Sequence, residues 1–215
     1  MKEVLLEEKY ILEYIRDMMH DMKRKNVLIE DAKYHHNASY FDAISICKHG
    51  ILTMLDLKRL NIKEYTKETL QKMNDITSHI NGIDAVSLSV VGLKDLYRDE
   101  DEYDPFKPSQ VDFLVSSDVQ TSRTTMHYGN EFLSYQSIAV NKLKAMDIRL
   151  LNMLDLMENS LDSIQTIIQK YNELKKIALM IQDLKINIPI REMSYQDGFS
   201  LDIDQLSKTP KLLIK

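Results

Sequence analysis

Cysteine occurs once in the 215 residues, at Cys47, so no disulfide can form within the chain. A single thiol is the usage expected of a reducing compartment. Glycine occurs five times and proline four times, which favours regular structure over long flexible linkers. No apolar run approaches the roughly 20 residues that a membrane-spanning helix requires. The opening MKEVLLEEKYILEYIRDMMHDMKRK is charged throughout and does not read as a signal peptide. Together these absences predict a cytoplasmic protein with no membrane partner. Net charge is only −5, so general polyanion binding is not favoured, although one basic groove is compatible with that balance.

Motifs are also missing. The histidines are His20, His35, His36, His49, His79 and His127, and none belongs to an HExxH or an i,i+4 pair. Cys47 stands two residues before His49, too little for a zinc site, so no metal is expected. There is no glycine-rich phosphate loop, no G-x-S-x-G elbow and no GxGxxG. Cys47 falls on the apolar face of its helix, which reads as packing and not as a nucleophile.

What is present is enough apolar content, 44%, for one sizeable core and hence a single domain over 1–215. Val4, Ile11, Tyr14, Ile15, Met18, Met19 and Met22 form one stripe and predict an N-terminal helix within 1–30. Asp42 to His49 reads as a second helix stopped by Gly50, and Thr66 to Ile80 as a third. The period then changes. Ala85–Val91, Val111–Val115, Glu131–Tyr135 and Met146–Leu150 read as strands. The run RDEDEYDPFKPS between the first two reads as a solvated acidic loop. Over 151–188 a helical stripe returns, with Met157, Leu161, Ile164, Ile168, Tyr171, Leu174, Ala178 and Ile181, and Asn187-Ile188-Pro189 ends it. That helix packs on the N-terminal helix or forms a homodimer seam over 154–181. Residues 189–215 read as a tail.

Three short patterns occur in a telling order. Tyr34-His35-His36 leads into Ala43-x-x-Ile46-x-x-x-Gly50-Ile51. Val86-Ser87-Leu88-Ser89 follows as a Ser-x-Ser strand. Last comes Tyr128-Gly129-Asn130-Glu131-Phe132. The order resembles the ADP-ribosyltransferase fold, in compact bacterial members of the His-x-Glu type, over about Lys33 to Leu150. There an aromatic-His step ends the first core strand, a Ser-x-Ser strand is the middle strand, and a Tyr-Asn-Glu-aromatic strand carries the catalytic glutamate. The fold class expected is therefore α+β: a small split antiparallel β core, 33–150, flanked by N-terminal and long C-terminal helices.

The resemblance implies an enzyme that consumes NAD as substrate and transfers ADP-ribose to a macromolecule, protein or nucleic acid, as a toxin or phage-conflict component does. Cleaving the nicotinamide–ribose bond develops positive charge on the anomeric carbon. A carboxylate beside the ribose stabilises that charge more in the transition state than in the ground state. Glu131 is the catalytic candidate. Cofactor-binding candidates are His36, Ser87, Ser89, Tyr97 and Tyr128, and the acceptor loop would comprise Arg123, Thr124, Thr125 and His127. Fourteen residues separate His36 from Gly50, which favours His36 over His35 as the cleft histidine. Only one of the two faces the cofactor, because successive strand residues alternate sides.

Departures narrow the reading. Arginine-modifying members carry Glu or Gln two residues before the catalytic glutamate, and Gly129 stands there instead. Phosphate transfer from RNA wants several arginines, and only Arg98 and Arg123 are placed for it. The alternatives are an NAD glycohydrolase, with water as acceptor, and a non-enzymatic helical protein that dimerises through 154–181.

Overall fold

The computed structural model describes residues 2–23, 25–26, 29, 31–62, 84–90, 111–123, 131–148, 164–193 and 198–215. The helix read at 66–80, the acidic loop at 98–109 and the stripe residues 154–163 lie outside them.

The described elements, in chain order, are β1 (Glu3–Leu6), α1 (Glu8–Asp21), β2 (Lys25–Asn26), β3 (Ala32–Ala38), α2 (Tyr40–His49) and α3 (Met54–Leu60). They continue with β4 (Val86–Val90), β5 (Val111–Ser116), β6 (Ser122–Arg123), β7 (Glu131–Ser134) and β8 (Leu143–Ile148). The last are α4 (Ile164–Asp183), β9 (Ile190–Met193), β10 (Gly198–Ser200), α5 (Ile203–Lys208) and β11 (Lys211–Ile214). The chain is thus mixed α and β. Among the described residues a nine-stranded sheet runs β2-β10-β9-β8-β5-β3-β4-β7-β6, and β1 with β11 forms a separate two-stranded sheet. The large sheet is antiparallel except at β8–β9, where α4 lies between two parallel neighbours.

Register assigns the faces. Val115, Phe113 and Val111 of β5 stand opposite Tyr34, His36 and Ala38 of β3, and Met146 of β8 stands opposite Phe113. This is the core face. It is covered by Ile11, Ile15 and Met19 of α1, Ile46 and Cys47 of α2, and Ile167, Tyr171, Leu174 and Ile181 of α4, all buried. The Cys47 thiol lies 3.8 Å from Met146 Sδ on this face. Burial pushes the thiol up to about 12, so it is not a nucleophile at neutral pH.

Tyr171 ties the helical layer to the C-terminal strands. Its hydroxyl meets Thr209 Oγ1 at 2.6 Å, the Pro210 carbonyl at 3.1 Å and Met18 Sδ at 3.4 Å. Lys175 donates to the carbonyls of Ser207 and Thr209, which closes the C-terminal end of α5. Asn172 brackets Leu212, accepting from its N–H and donating to its carbonyl.

Three sequence expectations change here. Val4 belongs to a strand and not to the first helix, because β1 is fixed by pairing with β11 from the far end of the chain. Residues 189–215 are no tail, since β9 and β10 extend the large sheet and β11 completes the small one. The described part of the 154–181 stripe is buried within this chain: Tyr171, Leu174, Ala178 and Ile181 are each at most 2% exposed. That leaves those residues no dimer seam to form. Among the described residues no helix is long and apolar enough to cross a membrane.

Candidate functional site

Of the residues singled out in sequence, His35, His36, Ser87, Ser89 and Glu131 lie on three adjacent strands, β3, β4 and β7, with the Ser-x-Ser strand in the middle. The local reasons are plain. The alternation Val86-Ser87-Leu88-Ser89-Val90 buries Val86 and Leu88 and turns both serines to the opposite face. β3 leads straight into α2, which begins at a reciprocal cap. The Ser39 side chain accepts from Asp42 N–H at 3.1 Å while its hydroxyl donates to Asp42 Oδ2 at 2.7 Å.

The sheet is split at this place. β3 pairs with β4 only at Tyr34↔Val90 and His35↔Ser89. Beyond that point β3 goes on pairing with β5 to Ala38, and β4 goes on pairing with β7 to Val86. The two strands therefore part along His36–Ala38. The His36 ring bridges the gap, with Nδ1 3.0 Å from the Ser87 carbonyl. A carbonyl only accepts, so Nδ1 carries the proton and Nε2 keeps its lone pair in the neutral ring.

Burial lowers the His36 pKa below the ordinary 6.5, and the Ser87 carbonyl partly opposes that shift. The folded state therefore binds fewer protons than the unfolded state at mildly acidic pH. Its stability contribution is complete above the unfolded value and declines as pH falls through it toward the lower folded value. Urea melts should show a loss of stability between about pH 7.5 and about pH 5.5, and His36→Gln should remove part of that slope. An identical slope in His36→Gln would show that other groups carry it.

The row containing Glu131 is a different one. Glu131 stands opposite Ser89, and Ser89 opposite His35, so these three positions lie in line across β7, β4 and β3. His35, Ser87, Ser89 and position 131 share one face of the pleat, and His36 belongs to the core face with Phe113 and Met146. His36 and position 131 thus lie on opposite faces of the sheet. His36 reaches Ser87 through its main chain, but it is His35 that lies on the glutamate's side.

His35 is held from one end. Its Nδ1 is 3.8 Å from Asp112 Oδ1, which is ion-pair range when the ring is protonated. Its Nε2 is buried and has no hydrogen-bond partner among the described residues. Asp112 stands opposite Asp147, and Asp147 opposite Arg191, so an ionic row continues across the sheet. Arg191 grips Asp147 with two bonds, Nε to Oδ1 at 2.6 Å and Nη2 to Oδ2 at 2.7 Å. Burial pushes the Asp147 carboxyl up, and the guanidinium pulls it back.

Losing that grip is costly. Arg191→Met should destabilise the fold by about 3 kcal/mol, the lower part of the range for breaking a buried pair, because Asp147 can take up a proton. The loss should grow as pH rises, because the unpaired carboxyl then finds it harder to hold that proton. Equal losses at about pH 5 and about pH 8 would contradict this account.

Arg123 ends β6, exposed, opposite Phe132 of the glutamate strand. Tyr97, Thr124, Thr125, His127 and Tyr128 lie outside the described residues. Sequence reasoning missed the Asp112–Asp147–Arg191 row and helix α3. The first was readable from the alternation Val111-Asp112-Phe113. The second was readable from the cap Thr53-Met54-Leu55-Asp56, where Thr53 Oγ1 accepts from Asp56 N–H at 3.3 Å. Among the described residues no three His, Cys, Asp or Glu side chains form a metal-holding group. The chain matches no family model, no curated protein and no solved structure.

Proposed function

We propose that the chain is an ADP-ribosyltransferase that cleaves the nicotinamide–ribose bond of NAD and transfers ADP-ribose to a macromolecular acceptor. The observation that supports this reading is the split sheet. The Ser-x-Ser strand lies between the histidine strand and the glutamate strand, and Glu131, Ser89 and His35 are in line across them. In this reading Glu131 stabilises the positive charge that develops on the anomeric carbon. His35 takes the cofactor role first expected of His36, its unpartnered Nε2 accepting from or donating to a ribose hydroxyl. His36 is a positioning residue that holds β3 to β4 across the gap.

Purified protein incubated with NAD carrying a label on its adenylate half tests the reading. Nicotinamide should be released, and label should appear on polymer from a lysate. No nicotinamide release over a broad panel of lysates ends the proposal. Release with all label recovered as free ADP-ribose would instead identify a glycohydrolase. His35→Ala should raise the KM for NAD by about tenfold, the worth of one buried hydrogen bond, with a smaller change in kcat. The same KM effect from His36→Gln alone would return the cofactor role to His36. A toxin role predicts that expression arrests growth only with Glu131 intact.

A further inference from the structure

Among the described residues the two-stranded sheet leaves one strand edge open, and its chemistry names an occupant. Lys211 N–H donates to the Lys2 carbonyl and Lys215 N–H to the Leu6 carbonyl, so the even residues of this segment turn their main chain toward β11. Alternation then turns the main chain of Glu3 and Leu5 away from it. On the far side of β11, Asn172 of α4 satisfies both the N–H and the carbonyl of Leu212, so that edge is stopped. Among the described residues no strand lies on the outer edge of β1.

Charge complementarity says what fits there. Glu3, Leu5 and Glu7 alternate with the half-buried Val4 and Leu6, and all three are exposed, Leu5 at 57%. The strand that already pairs with β1 answers the first two of these positions. Lys211 stands opposite Glu3, with Nζ 3.5 Å from Oε1, and Leu213 stands opposite Leu5. Glu7 is the next exposed position, and Lys9 Nζ lies 3.1 Å from its Oε2. We propose that the open edge of β1 docks an extended segment of another protein carrying Lys or Arg, an apolar residue, and Lys or Arg at alternate positions. The main chain of Glu3 and Leu5 supplies ladder hydrogen bonds, and Glu3, Leu5 and Glu7 read the alternate side chains. A second copy of β1 is a poor occupant, because two-fold pairing about Leu5 sets Glu3 against the other chain's Glu7.

The experiment uses the full chain and two peptides that carry fluorescein on their N-terminal amine through a Gly-Gly spacer, fluorescein-Gly-Gly-Lys-Thr-Leu-Thr-Lys-amide and its counterpart with both lysines replaced by glutamate, followed by fluorescence anisotropy. The lysine peptide should bind saturably, at least about tenfold more tightly than the glutamate peptide. Leu5→Pro removes one outward N–H without touching the bonds to β11, and should abolish binding while the thermal melt is retained. Glu3→Gln with Glu7→Gln should weaken binding about tenfold, and this pair decides the matter if Leu5→Pro does not fold. Equal binding of the two peptides, no binding, or binding that survives both sets of substitutions overturns the proposal. Dimers by light scattering that Leu5→Pro dissociates would also overturn it, by making a second copy the occupant.

Discussion

Glu131→Ala should lower NAD turnover by about 10²–10³-fold, the usual effect of removing one group aimed at charge that develops only in the transition state. The fall should appear in kcat and in kcat/KM together, because in the proposed reaction the carboxylate would meet positive charge only as the glycosidic bond breaks. Glu131 opens β7 opposite Ser89, on a strand paired with both β4 and β6, so truncation removes a side chain without removing the ladder. The thermal melt should therefore hold while activity disappears. Glu131→Gln separates charge from shape. It keeps the volume and loses the negative charge, and turnover close to wild type in that variant would show that electrostatic stabilisation by Glu131 is not the source of the rate.

Gly50→Ala should destabilise the fold by about 4–6 kcal/mol, enough to leave a domain of ordinary stability largely unfolded. Two costs add. Gly50 ends α2 at φ +80° and ψ −174°, a backbone region populated almost only by glycine. A Cβ there would stand 2.1 Å from the Ile138 carbonyl oxygen, which is main chain and cannot rotate away. Ile138 cannot retreat cheaply. It exchanges hydrogen bonds with Ile51 at 2.7 and 2.9 Å, and the neighbouring Ser137 hydroxyl accepts from Thr53 N–H at 3.0 Å and donates to Asp56 at 2.5 Å. The corner after α2 is thereby stitched to the segment that follows the glutamate strand. Chemical denaturation of Gly50→Ala measures the cost, and a loss below about 1 kcal/mol would show that the corner yields.

The same corner shows what was readable in sequence. The pattern Ala43-x-x-Ile46-x-x-x-Gly50-Ile51 has a physical origin: Ile46 is buried, Gly50 makes a turn other residues resist, and Ile51 makes the bridge to Ile138. α2 and strands β4, β5 and β7 were legible because their periods are local and strong. β8 was placed late, since Leu143 to Ala145 carry two charged or small residues and a register shift at Leu114/Val115. β1 and β11 were lost because the evidence for each is the other, two hundred residues away. Which histidine shares a face with Glu131 was hidden for a related reason. Alternation said that only one of His35 and His36 faces the cleft, but which one depends on pairing to Ser89 and Leu114, and residue spacing to Gly50 does not encode that register. The α4 stripe carried a similar ambiguity. A heptad-like run serves a partner or the chain's own sheet equally well, and burial of Tyr171, Leu174 and Ile181 decides for the latter.

The bonds that Thr209, Pro210 and Leu212 make with α4, and that β11 makes with β1, have a consequence during synthesis. A nascent chain in which 209–214 have yet to leave the exit tunnel has the first strand without its mate and the Tyr171 hydroxyl without two of its partners. Such a chain cannot mature in the order in which it is made. Closure has to wait until that segment has emerged.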